Sequence, residues 1–387
     1  MEKANKNRLF IASCLALITT AMTFAIRARL ETVFGPEGVG LTLEQIGYAF
    51  TPAFFGFTLA MIFGGPLVDL LGIKKITWIA FITHAIGIVW TIMADSMTSL
   101  FLATLFIGIG NGMVEAALNP LIASMYSDQK TKMLNRFHVW FPGGIVIGSL
   151  VGWFIMDILG LDWQLMVATL FIPLVIYGVL FFGQEIPVTE RVKLGISNKQ
   201  MIASVTKPLF LFMVFCMLLT AASELGTTQR IESLLKTSVS SPLLVLAFIN
   251  GIMALGRLSA GKVVHKLKPA GMLLYSAIFT LIGLWLLTIT TGGMTFVAAA
   301  VFAVGVTFFW PTMLGFVAEY LPQTGALGLS IMGGAGMFSV SLVLPIMGKL
   351  MDNANATEAL RTMSILPAIL IVAFIGLNIY MKKTSKA

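Results

Sequence analysis

Twelve apolar runs follow one another along the chain, separated by short polar gaps. They fall at roughly 9–31, 44–71, 75–95, 98–126, 134–159, 162–184, 208–235, 241–266, 269–290, 293–320, 325–351 and 358–381. A membrane helix needs about 20 mostly apolar residues, and every run supplies that length. Lipid offers no partner to a bare backbone N–H or C=O, so each run is predicted to be helical. The pattern predicts an all-α integral membrane protein with twelve transmembrane helices. Lys3, Lys6 and Arg8 before Leu9–Ile26 imitate a signal peptide. Arg27 and Arg29 follow without a small-residue cleavage site, so this run is expected to be the first retained span.

The longest polar gap, Gln184–Lys207, divides the spans six and six. We expect an N-terminal half over 1–184, a cytoplasmic linker over 185–207 and a C-terminal half over 208–387. Traces of duplication support pseudo-symmetry. Thr19–Glu31 reads TTAMTFAIRARLE and Thr220–Glu232 reads TAASELGTTQRIE; both close with Arg, an aliphatic residue and Glu. Gly65 and Gly261 occupy equivalent places, as do Asp157 and Asp352. Two parallel six-helix halves form a transporter plan in which the solute binds between them near the midplane.

Composition agrees with lipid as the solvent. The 387 residues are 58% hydrophobic and 11% charged, against about 25% charged in a soluble domain. The net charge of +8 does not point to nucleic acid, because the basic residues sit in the gaps between apolar runs. With the N-terminus inside, eighteen Lys and Arg fall on the cytoplasmic side and only Lys236, Lys349 and Arg361 outside. That asymmetry predicts cytoplasmic termini in a multi-pass plasma membrane protein. Cys14 and Cys216 lie inside apolar runs, so neither a disulfide nor a metal site is expected. No G-x-x-x-x-G-K-[ST] loop is present to cradle a nucleotide, and no nucleophile–base pair suggests an enzyme. No cofactor is expected.

Between spans two and three the chain reads Gly65-Pro-Leu-Val-Asp69-Leu-Leu-Gly72-Ile-Lys74-Lys75. This resembles the loop signature of the major facilitator superfamily. The resemblance covers the whole chain and implies a gating loop that latches the halves in the outward-open state. Span four contains Gly110-Asn-Gly112-Met-Val-Glu115-Ala-Ala-Leu-Asn119-Pro120, and span five opens Leu134-Asn135-Arg136-Phe137-His138. That pair resembles the fucose permease branch of sugar–proton symporters, over these two spans only. The resemblance implies that Glu115 is the proton-linked carboxylate and Asn119 a cavity residue. Their i, i+4 spacing puts both on one helix face. The chain departs from that branch at Arg27, where the branch has an acid. An Arg in span one with a Glu in span four is similar to the organic-anion and sugar-acid branch.

Charge inside a bilayer costs about 2.5–3.5 kcal/mol on insertion scales, so each such residue needs a reason. Glu115 is expected to face Arg27 or Arg29, and to bind a proton when released. The alternative is a static structural ion pair. Glu224, near the middle of span seven, is a second proton-coupling candidate. Arg230, six residues on, is expected to snorkel, and Glu31 and Glu232 to lie at the outer edge without function. His138 and neighbouring Trp140 are candidate substrate contacts, as are Gln229, Asn250 and Trp310. Trp310 offers a face for a sugar ring, although an aromatic in lipid is more often packing. His84 and Arg257 are expected to be structural.

The expectation is a monomeric secondary transporter in a bacterial inner membrane. It would carry a sugar or related small polar solute by proton-coupled symport. Organic-anion symport through Arg27 and drug or lipid efflux are the alternatives. A non-transporting sensor would need an output domain, and no gap is long enough to hold one.

Overall fold

In the computed structural model, residues 5–126, 133, 136–187 and 198–384 are described. Within them, the side chains of 69, 123, 198–201, 260–265, 318, 322, 325, 326 and 384 fall outside the description. The described residues contain helices and no strands. Among the described residues, eleven helices are long and apolar enough to cross a membrane. In order they are Lys6–Phe34, Leu43–Val68, Ile73–Ile92, Met97–Ile122, Arg136–Ile158, Trp163–Phe181, Pro208–Gln229, Lys266–Leu287, Met294–Val317, Leu327–Asn353 and Ala356–Lys383. The shorter Pro242–Leu258 lies between the seventh and eighth of these and is span eight of the twelve. The all-α, two-half architecture expected from the apolar runs is borne out.

Helix ends follow local chemistry. Span two opens with a capping box, in which Thr42 and Gln45 bond each other's backbone N–H groups. It closes on Gly72, whose φ of 85° is left-handed and favours a residue without Cβ. Spans eight and nine separate at Lys268, also at positive φ, just before Pro269. A short helix, Asn198–Val205, ends the polar gap between the halves; residues 188–197 of that gap lie outside the described ones.

An even number of spans brings both chain ends to one face, here called the terminal face. Spans two and eleven meet across the halves along much of their length. Thr51 Oγ1 donates to Ser341 O and Thr58 Oγ1 to Gly334 O, each at 2.9 Å. A Cβ on Gly65 would lie 3.2 Å from Ser330 Oγ. Small residues and hydroxyls at seven-residue spacing let these backbones approach closely, as lipid-embedded helices require. Toward the face opposite the termini, Gly47 and Gly348 make the closest approach: a Cβ on either would fall under 3.0 Å from backbone of the other span.

Candidate functional site

Four polar layers lie in the interior; the first two are each built within one half, and the last two join the halves. The layer nearest the terminal face is built on span four. Asn119 Nδ2 donates to Glu115 Oε2 at 2.7 Å, and Asn119 Oδ1 lies 2.9 Å from His138 Nε2. A carboxamide oxygen only accepts, so His138 carries its proton on Nε2 in this arrangement. His138 Nε2 is also 3.9 Å from Glu115 Oε2. Glu115 is buried, while the His138 side chain keeps 24% of its surface. Pro120 follows Asn119 within the same helix.

The second layer is at mid-span. Glu224 lies in a π-helical turn, Ala222–Gly226, that interrupts span seven. Such turns are uncommon and recur at functional sites. One carboxylate oxygen faces Arg257 Nη2 of span eight at 3.8 Å, and the other makes no hydrogen bond among the described residues. Arg257 Nε donates to the Thr307 carbonyl at 3.1 Å, at the break between the two helical stretches of span ten.

The third layer joins spans one and seven. Arg27 Nε donates to Gln229 Oε1 at 3.0 Å, and Gln229 Nε2 donates to Phe24 O at 3.1 Å. The guanidinium lies over the rings of Phe24 and Phe54, at 4.8 and 4.6 Å from their centroids, a stabilising cation–π geometry. Arg27 is buried, and its Nη2 has no hydrogen-bond partner among the described residues.

The fourth layer closes the face opposite the termini. Arg29 Nη1 reaches Glu232 Oε2 at 3.2 Å and Arg230 Nη1 reaches Glu31 Oε1 at 3.1 Å. Asp157 also accepts from Arg29, and Ser233 donates to Glu31. Asp352 of span eleven accepts from the backbone N–H of Leu43 at 3.1 Å and Glu44 at 2.8 Å. It thereby caps span two across the halves with charge of the favourable sign.

These layers revise several expectations. Glu115 faces neither Arg27 nor Arg29; its partners are Asn119 and His138. The reason is depth. Glu115 lies ten residues before the end of the helix Met97–Met125, so about 15 Å in from the terminal face. Arg27 lies 21 residues past Lys6, about 31 Å in. Arg230 does not snorkel: it is 1% exposed. Glu31 and Glu232 are likewise buried, between the halves rather than at a wet edge. Arg257 holds a carboxylate as well as a backbone carbonyl. The Arg-aliphatic-Glu repeat was the visible signal for the fourth layer, and its cross-pairing was the part missed.

Other candidates are placed as follows. Asn250 is buried and donates to Leu246 O of its own helix at 3.0 Å. Trp310 is half-buried, its ring 2.8 Å from where a Cβ on Gly336 would be. Trp140 is 40% exposed and joins none of the layers. His84 is buried and bonded to Asn111, which donates onward to Thr23. Cys14 and Cys216 are buried free thiols. In the Gly65–Lys75 segment, Gly65 packs near span eleven and Lys74 and Lys75 are exposed; the Asp69 side chain, like Leu134 and Asn135, lies outside the described residues.

Known proteins resemble the chain at both levels. An uncharacterized MFS-type transporter of Mycobacterium tuberculosis is 22% identical over 205 residues, 50% of this chain. The chain spans about half the length of that relative, 47%. The E. coli fucose–proton symporter superposes with a TM-score of 0.67 at 16% identity, covering 95% of this chain and 97% of that one. The E. coli xylose transporter, in a partially occluded inward-open conformation, gives 0.76 at 15% identity, with 95% and 97% covered. At such identities the likeness is one of fold. The family model described as Major Facilitator Superfamily matches residues 9–336, most of the chain, and the chain belongs to that superfamily of multi-pass membrane proteins.

Proposed function

We propose that the protein is a proton-coupled symporter that carries a sugar or related small polar solute inward by alternating access. The observation that carries this reading is the Glu115–Asn119–His138 cluster. It is a carboxylate, an amide and an imidazole within hydrogen-bond reach, inside a membrane span and partly accessible. Intramembrane ionisable groups of this kind mark proton and substrate paths. A proton arriving on Glu115 removes its charge and ends the charge-assisted bond from Asn119. Asn119 and His138 are then free to turn to solute hydroxyls. Glu224 offers a second protonation site, whose neutralisation releases Arg257. Neutral carboxylates let the halves rock past each other at low cost. Each proton falling through 100 mV supplies about 2.3 kcal/mol. No other cofactor is invoked.

The Lys and Arg asymmetry supports cytoplasmic termini in a bacterial inner membrane, which would make the face sealed by the fourth layer the outer one. The Gly65–Lys75 loop would then latch the outward-facing state, by resemblance to the superfamily. We read the transporter as a monomer.

A second reading has its own observation. Arg27 is buried, stacked on two phenylalanines, and keeps Nη2 without a partner. A carboxylate on the solute would satisfy it, so sugar acids belong beside neutral sugars in any screen. The test is uptake of radiolabelled sugars and sugar acids into proteoliposomes under an imposed inward proton gradient. Gradient-driven accumulation of one of them supports symport. Uptake that ignores the gradient, or efflux of apolar dyes in its place, would refute it.

A further inference from the structure

Arg29-Leu-Glu31 in span one and Arg230-Ile-Glu232 at the end of span seven are the same triplet, 201 positions apart. Within either helix, Arg and Glu two positions apart point away from each other and cannot pair. Each arginine instead reaches the glutamate of the other triplet. Arg29 takes Glu232 at 3.2 Å and Arg230 takes Glu31 at 3.1 Å. Duplication has thus produced two reciprocal ion pairs, both between the halves.

The surroundings are built for this exchange. Arg230 Nη2 also donates to Leu43 O of span two at 2.9 Å and to Leu344 O of span eleven at 2.6 Å. A Cβ on Gly47 would lie 2.6 Å from that nitrogen, and one on Gly348 2.7 Å. The two glycines leave the slot in which the guanidinium is seated. Glu31 and Glu232 are 0% and 2% exposed. Parting the halves by a small amount would leave Arg230, Glu31 and Glu232 unpaired and dry, which is the costly arrangement, while Arg29 would keep Asp157 of its own half. The three buried groups are favourable either paired across the closed halves or hydrated after the halves part.

We propose that the duplicated Arg-x-Glu triplets form a reciprocal lock that seals the face opposite the termini, and that both pairs must break together for that face to open. The lock differs from the polar cluster around Glu115 and does not depend on what is carried. Lys236–Glu37, at 2.5 Å, is an exposed pair outside the lock, and screening makes such pairs weak.

Spin labels at Val39→Cys and Ser240→Cys, in a Cys14→Ala/Cys216→Ala background, report the distance between the halves at this face by pulsed electron resonance. Both positions are exposed, on the loops after spans one and seven. The parent is expected to give one short-distance population. Glu31→Gln with Glu232→Gln is expected to add a longer-distance population and raise the open-to-closed ratio about tenfold. Lys236→Ala is expected to leave the distribution unchanged. If the double variant is not monodisperse, Glu232→Gln alone is the gentler probe, because Arg29 keeps Asp157. An unchanged distribution in the lock variants, or an equal response to Lys236→Ala, would overturn the proposal.

Discussion

Asn119 donates to Glu115 one helical turn away at 2.7 Å, and its carbonyl oxygen takes the Nε2 proton of His138 at 2.9 Å. A single amide thus holds both ionisable groups of the cluster. Replacing it with an isosteric apolar side chain removes two bonds and leaves a buried carboxylate short of a donor. Asn119→Leu is expected to lower thermal stability by about 1–3 kcal/mol and transport at least tenfold. The checks are a melting curve in detergent and initial uptake rates. Wild-type uptake would separate Asn119 from the site.

The buried pair Arg230–Glu31 invites a double-mutant cycle. Glu31→Ala strands a guanidinium that is 1% exposed, at a cost of about 3–5 kcal/mol. Removing both partners is expected to cost less than the sum of the two single changes, because no uncompensated charge remains. Additive losses on denaturation would show that the two residues act separately.

Two glycine substitutions contrast close packing with free space. A Cβ on Gly348 would meet Leu43 O at 2.3 Å and Arg230 Nη2 at 2.7 Å. Gly348→Ala is therefore expected to destabilise the described state by about 1–3 kcal/mol. Gly251, in span eight, would place its Cβ in open space, and Gly251→Ala is expected to be neutral or stabilising by about 0.4–1 kcal/mol. Melting temperatures of the two purified variants decide this, and equal shifts would contradict it.

The orientation is testable by reporter fusion. A fluorescent protein fused after Ala387 is expected to fold and emit, as it does only in the cytoplasm. Alkaline phosphatase inserted at Val39, on the loop after span one, is expected to be active. The opposite pair of outcomes would invert the reading of the basic residues.

The spans were legible because lipid imposes one demand, an apolar run of about 20 residues, and the helices meet it visibly. The Glu115–Asn119 contact was also legible, since i, i+4 spacing fixes which side chains share a face. Depth was harder to see. Spans one and four run in opposite directions, so Arg27 and Glu115 enter from opposite faces and pass each other by about 16 Å. The Arg-x-Glu repeat was visible as a repeat. Its reciprocal pairing was not, because that depends on how the two halves dock. The π-turn at Glu224 had no signal at all, since hydrophobic periodicity does not report one extra residue in a turn.

In the proposed cycle Glu115 couples proton movement to solute movement. The direct measurement compares wild type with Glu115→Gln in proteoliposomes containing a pH indicator, with exchange of the solute identified by the uptake screen measured alongside. Glu115→Gln is expected still to exchange solute across the membrane, but neither to acidify the lumen nor to accumulate solute against a gradient. Solute-dependent acidification in Glu115→Gln at the wild-type rate would contradict it.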